Sequence, residues 1–241
     1  MSHSGRRALV TGAGKGIGRE VVRRLVADGA EVVALSRDPA DLESLAAETG
    51  CAVVVADLAD LEGAVRAVEA VLPVDLLVNN AGITRLAPAL TIDMRDVRAV
   101  LEVNTVAPLR LAQVVAGDLV RRGRGGAIVN VSSVAAAIGL AEHSGDCAAK
   151  AGLDAVTRVL AVELGPLGIR VNSVNPFITL TPMGEAAWSD PGKAAPMLAR
   201  IPARRFCTPG DVAAVVSFLL GEDAAMVNGA SLDVDGGFRI A

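Results

Sequence analysis

Val10-Thr11-Gly12-Ala13-Gly14-Lys15-Gly16-Ile17-Gly18 is the stretch that decides how the rest of the chain is read. Ahead of it, Arg6-Arg7-Ala8-Leu9-Val10 has the length and apolar character of a short buried strand. Behind it, Ile17, Val21, Val22, Leu25 and Val26 recur at helical spacing, so the glycines fall in a strand-to-helix turn. A chain that turns this sharply while its backbone N–H groups face a phosphate needs residues without a β-carbon, and the helix that follows adds its positive N-terminal end. A tight connection with no ligand would use the same glycines. The second strand, Glu31-Val32-Val33-Ala34-Leu35, completes a βαβ unit and favours a dinucleotide cradle, with Gly12, Lys15, Gly16, Ile17 and Gly18 as its candidate residues.

The chain has 241 residues, 52% of them hydrophobic, which suits a single doubly wound α/β domain over residues 1–241. A net charge of −4 with scattered Lys and Arg offers no basic field, so nucleic acid is not an expected partner. The first apolar segment begins at Ala8 and is only a strand long, and no run reads as a membrane span. A cytoplasmic protein without a membrane segment is expected. Cys51, Cys147 and Cys207 lack C-x-x-C spacing, so they are expected as reduced, mostly buried thiols, with no disulfide framework and no metal site. Two histidines, one tryptophan and no tyrosine leave few groups for acid–base work near neutral pH.

Ser36-Arg37 follows the second strand, where an acidic residue would bind a ribose 2′-hydroxyl. A cation there accommodates a 2′-phosphate, and Lys15 adds a second positive charge, so NADP(H) is expected over NAD(H). The competing reading turns Asp38 inward and leaves Arg37 solvated. Ala52-Val53-Val54-Val55-Ala56 is a continuous apolar run suited to a strand covered on both faces, with Asp57-Leu58 at its carboxyl end. Asp57 is also placed to cap a helix that starts near Leu61. Val74 to Val78 reads as a fourth strand ending in Asn79-Asn80-Ala81-Gly82, whose asparagine amides can tie neighbouring strands together. From Asp93 to about Arg122 the apolar spacing predicts one long helix, bent around Asn104 and Pro108. Gly126 to Val131 is a strand with Ser132-Ser133 at the edge where such sheets gather ligands.

The glycine spacing after Thr11, the N-N-A-G tetrapeptide, Ser133 followed thirteen residues later by Asp146-Cys147-Ala148-Ala149-Lys150, and Arg170-Val171-Asn172-Ser173-Val174-Asn175-Pro176 resemble the short-chain dehydrogenase/reductase family. The resemblance runs nearly end to end and implies a Rossmann-type, seven-stranded, mainly parallel sheet with helices on both faces. It also implies roles: Asp57 and Leu58 at the adenine, Asn80, Ala81 and Gly82 along the cofactor, and Thr179 and Thr181 beside the nicotinamide. Asn104 would hold a water in a proton relay, Ser133 would hydrogen-bond the substrate oxygen, and Lys150 would grip the ribose hydroxyls. His143 and Trp188 would line the substrate pocket, the latter within a specificity loop at about 177–205; a surface-loop role for His143 and a packing role for Trp188 compete. A homotetramer is expected by resemblance, and the long central helix carries more apolar surface than one subunit is expected to cover.

The sequence departs from the family pattern in two places. Phe177 follows Pro176 where glycine is usual, and Asp146 stands where the family places a catalytic tyrosine. A phenol titrates near about 10 and a β-carboxylic acid near about 3.9, so the exchange puts an anion where the family has a proton donor. One helical turn from Lys150, it could form an ion pair that supplies no proton. Three readings follow. A protonated imine needs no further proton and is stabilised by a carboxylate, which makes an NADPH-dependent imine reductase the first expectation. The second is a dicarbonyl-type carbonyl reductase whose proton comes from His143, or from Ser133 with water. The third is an NADP(H)-binding protein without redox activity.

Overall fold

The computed structural model describes residues 2–241. Seven strands, β1 (Arg7–Thr11), β2 (Glu31–Ser36), β3 (Ala52–Val55), β4 (Leu76–Asn79), β5 (Gly126–Val131), β6 (Ile169–Pro176) and β7 (Ser231–Val234), form one sheet in the order β3-β2-β1-β4-β5-β6-β7. Every pairing is parallel. Strand order reverses beside β1, which lies between β2 and β4, and open α/β sheets bind ligands in the crevice at such a point.

Alternation along the strands divides the core into two layers. Ala8 and Val10 of β1, with Val32 and Ala34 of β2, face α1 (Gly16–Ala27), α2 (Pro39–Thr49) and α9 (Pro209–Leu220), where Val21, Leu25, Leu42 and Val216 meet them. Leu9 of β1 and Leu77 of β4 point the other way, against α3 (Leu61–Glu69), α5 (Ala107–Arg121) and α6 (Ser144–Leu164). Strands covered on both faces read as unbroken apolar runs, which is why β1 and β4 were legible. The run at β3 misleads, because β3 is the sheet edge and Val55 is 56% exposed. Composition alone does not say which strand has no outer neighbour.

The predicted long helix is α4 (Met94–Leu101) joined to α5 by a π-helical turn, Glu102–Val106, that contains Asn104. This segment, Met94–Arg121, is long and apolar enough to cross a membrane by length and composition, which corrects the expectation that no run reaches that length. Half of its most apolar window is buried within the protein. The helix after β3 is capped by Asp60, which accepts from Gly63 N at 3.0 Å, while Asp57 accepts from Ala59 N in a local turn. The expected cap at Asp57 is therefore displaced by three residues. The segment at 177–205 is no simple loop either. It holds α7 (Pro182–Trp188) and α8 (Pro191–Arg200), each started by a proline and a side-chain cap, Thr181 and Asp190. The three cysteines are free, Cys51 and Cys207 buried and Cys147 half-buried.

Candidate active site

The glycine turn joins β1 to α1 at the carboxyl edge of the sheet. A β-carbon at Gly12, whose φ is +63°, would lie 2.7 Å from Ala81 Cα and 2.9 Å from Asn80 Nδ2, and one at Gly18 would collide with the Gly12 carbonyl oxygen. Thr11 and Asn80 lock this contact. Thr11 Oγ1 accepts from the backbone N–H groups of Asn80 and Ala81 at 3.0 and 3.1 Å, and Asn80 Nδ2 donates to the carbonyls of Thr11 and Gly12, both at 3.0 Å. The N-N-A-G asparagines do tie strands together: Asn79 Nδ2 donates to Asn130 Oδ1 at 2.9 Å, and Asn130 Nδ2 donates to Thr157 Oγ1 at 2.8 Å.

A dinucleotide fits this edge for a reason visible in the capping. Helices α2, α3, α4, α7, α8 and α9 each start with a side chain that accepts from a first-turn N–H. Helix α1 has no such cap, since Lys15 occupies its N-cap position; α6, which starts after His143, has none either, and α5 continues from the π-helical turn. The first-turn amides at Gly16, Ile17 and Gly18 are thus left for an external acceptor, as a phosphate requires. Ser36 and Arg37 stand at the end of β2. Arg37 reaches Asp57 only at 3.9 Å, whereas Lys15 Nζ sits 2.9 Å from Asp41 Oδ2 on α2, a partner the sequence reading did not include. Asp38 is not turned inward: it caps α2, accepting from Ala40 N at 3.0 Å. Leu58 is buried beneath this end of the sheet.

The second half of the site gathers around Asn104. The π-helical turn presents its side chain inward, 1% exposed, and it bonds both backbone groups of Ile83, accepting from the N–H and donating to the carbonyl at 2.9 Å each. It also donates to Asp146 Oδ1 at 3.5 Å. Such turns inside α-helices frequently mark functional sites. A β-carbon at Gly82 would lie 3.3 Å from Asn104 Oδ1 and 3.8 Å from Lys150 Nζ, so Gly82, Asn104, Asp146 and Lys150 converge. Ser133, on the loop after β5, accepts from Ala135 N at 3.1 Å, leaving its O–H to donate elsewhere.

Lys150 is buried and donates from Nζ to the Val131 carbonyl at 2.9 Å. Burial pushes its ammonium below the ordinary lysine range, and Asp146 and Asp154 oppose that push. The expected ion pair with Asp146 does not form among the described residues. The lysine reaches across to β5, while the aspartate, half-buried in the first turn of α6, leans to Asn104. A carboxylate in a first turn is favoured by the helix dipole, so Asp146 also suits the local helix. Asp154, one turn beyond Lys150, was not foreseen as part of this framework. It is buried, with Ser173 Oγ and Asn175 Nδ2 both donating to it at 3.0 Å. An acidic residue four positions after the lysine was the available signal.

The remaining candidates flank this centre. His143 is the N-cap residue of α6, and its Nδ1 lies 2.6 Å from the Ala141 carbonyl, so a hydrogen bond there requires the proton on Nδ1. Thr181 Oγ1 caps α7, its methyl facing Gly16, and Thr179 is buried with Oγ1 donating to the Phe177 carbonyl. Trp188 packs at 5.4 Å from Phe206, with Lys193 Nζ over its ring, and Phe177 stacks on Phe238 at 3.8 Å between ring centroids. The packing role considered for Trp188 is therefore present.

The parallel sheet, the uncapped glycine turn and the serine and lysine of the β5–α6 side define a class, and comparison with known proteins agrees. Residues 12–239 match the family described as Enoyl-(Acyl carrier protein) reductase, and the chain belongs to the short-chain dehydrogenase/reductase family. It is 52% identical to L-xylulose reductase of Bos taurus over 98% of this chain and 97% of that one. It is 43% identical to carbonyl reductase [NADPH] 2 of Sus scrofa over 99% of this chain and 98% of that one. A crystal structure from Beutenbergia cavernae, assigned as an NAD(P)-dependent gluconate 5-dehydrogenase with NADP bound at low occupancy, superposes with a TM-score of 0.94 at 38% identity, covering 100% of this chain and 99% of its own.

Proposed function

We propose that this chain is an NADP(H)-dependent carbonyl reductase of the L-xylulose reductase type, acting on small hydroxyketones and vicinal dicarbonyls. The observation that carries the reading is the end-to-end match, at 52% identity, to a reductase of that name. It displaces the imine reductase from first place. The first-turn amides of α1 would receive the pyrophosphate, and Ser36 and Arg37 the 2′-phosphate. When bound, the reduced cofactor supplies the hydride. Ser133 O–H donates to the carbonyl oxygen and polarises it, and Lys150, tied to the Val131 carbonyl, holds its Nζ beside Gly82. Asp146 offers acceptor oxygens where a phenol would donate, so the proton comes from water held by Ser133 or from the doubly protonated ring of His143, the only form in which Nε2 carries a proton while Nδ1 donates to Ala141.

Turnover of L-xylulose and diacetyl with NADPH tests the activity. His143→Ala should lower it by about 10²-fold or more if histidine is the donor, and an unchanged rate assigns the proton to water. One observation favours a second reading: Asp146 forms no ion pair with Lys150, so its charge is free to stabilise an iminium. A faster rate with 1-pyrroline than with any ketone would put imine reduction back in front. Self-association, with a tetramer as the expected state, is proposed through the face of α5 and α6 that leaves Val120, Val159 and Val162 exposed. A monomeric mass by light scattering would remove it.

A further inference from the structure

The amino edge of the sheet, opposite the glycine turn, has a cavity of about 700 Å³. Arg6 enters it from the start of β1, Arg124 from the turn between α5 and β5, and Arg170 from the start of β6. Three guanidinium groups in one cavity are conspicuous in a chain whose net charge is −4. Their compensation is partial: the Asp75 carboxylate, bonded to Arg122 and the Arg7 N–H, also lies in the field of Arg6, and Glu222 lines the cavity. Glu222 reaches Arg6 Nη1 at 3.5 Å with its own side chain 88% exposed. Arg6 Nε is buried and has no hydrogen-bond partner, and Arg124 makes neither a side-chain hydrogen bond nor an ion pair among the described residues. Arg170 donates to the Leu219 and Gly221 carbonyls at 2.7 and 2.9 Å, which positions it without neutralising it.

Burial pushes the Arg170 guanidinium below the ordinary arginine range, Glu222 opposes this, and Arg6 adds to it. Arginine does not give up its proton in proteins, so that repulsion persists until an anion relieves it. Planar guanidinium forks match the oxygens of a phosphate, and the volume lies within the range of small-molecule pockets. We propose that this cavity is a second anion site, distinct from the cofactor cradle, which takes a phosphate group held by Arg6, Arg124 and Arg170. The phosphate is either the inorganic ion or the head of a small phosphate ester. The six residues of β5 separate it from the cofactor edge by roughly 20 Å, so both sites can be filled at once.

The cofactor site also prefers phosphate, so the experiment uses protein saturated with NADP+ at constant ionic strength. Calorimetric titration with inorganic phosphate and, separately, ribose 5-phosphate should show one saturable site, with a rise in Tm of about 3–6 °C at ten times Kd. Arg124→Gln alters an exposed turn residue with no partner and should leave the fold intact while weakening binding at least tenfold; Arg6→Gln with Arg124→Gln should abolish it. Arg37→Ala, in the cofactor site, should leave it unchanged. An ester that binds more than tenfold tighter than the inorganic ion identifies the occupant as a phosphorylated metabolite, and comparable affinities identify the ion. Absence of saturable binding to the NADP+-loaded protein, or binding unaffected by Arg124→Gln, overturns the proposal.

Discussion

The glycine turn and the start of α6 face the same crevice but are constrained by different physics. At the turn, the Cβ atoms missing from Gly12 and Gly18 leave the only room available for the backbone of Ala81 and the amide of Asn80. At the start of α6, Asp146 occupies a half-buried, first-turn position and leans to Asn104, with no missing β-carbon in the contact. A steric requirement of this kind shows in the sequence as a residue type at a fixed spacing, whereas the chemistry of an ordinary helix position does not. The cofactor half and the catalytic half of one site diverge for that reason.

The strongest way to break this comparison is Asp146→Tyr. A phenol placed near Ser133 and Lys150 should raise kcat for diacetyl by about 10²–10⁴-fold, the usual worth of a positioned general acid. No gain would mean that a competent donor already exists and that position 146 does not limit the proton transfer. Gly18→Ala should cost about 1–3 kcal/mol in urea unfolding and weaken NADPH binding, because its Cβ strikes the Gly12 carbonyl and the Asn80 amide. Asp146→Ala, by contrast, should cost no more than about 1 kcal/mol, the size of a helix-dipole contribution. Equal losses at the two positions would erase the distinction.

Arg37→Ala should weaken NADPH about tenfold in a fluorescence titration and leave NADH unchanged, since an exposed charge-assisted contact is worth about 1.5 kcal/mol. The smallest effect is expected at α9, whose N-terminus is closed by a capping box of Thr208 and Asp211, the reverse of α1. The Arg205 guanidinium and the Thr208 donors hold the Asp211 carboxyl well below the usual carboxylate range. A depressed carboxyl contributes its stability above its unfolded pKa, near about 3.9, and loses it as the pH falls below that. Asp211→Asn should therefore cost no more than about 1 kcal/mol at pH 7. The gap to the parent chain should close progressively in thermal melts below about pH 4.

Most of the cofactor half was legible because it rests on local patterns: unbroken apolar strands, a helical repeat from Ile17, and the asparagines at the end of β4. The errors share a cause. Valines at β3 were read as doubly covered because nothing local marks an edge strand, and Asp57 was taken for a cap that Asp60 provides because aspartates at both positions suit the role. Lys15 pairs with Asp41, more than twenty residues away, and no helical spacing shows that. Asp146 and Lys150 have the spacing of an ion pair, yet Lys150 is drawn to the Val131 carbonyl across the sheet and Asp146 to the π-helical turn.

By itself the amino-acid sequence determined the alternation of strands and helices up to β6, the turn that must be glycine, and that position 146 is an aspartate in a chain without tyrosine. These depend on periodicity, missing β-carbons and residue identity, all of which act over a few positions. Only the tertiary structure decided which polar groups meet: Ser173 and Asn175 on Asp154, Asn104 beside Asp146, and three arginines in one cavity at the far edge of the sheet. Electrostatic partners are set by distance in space, and parallel strand order brings together residues that the chain keeps tens of positions apart.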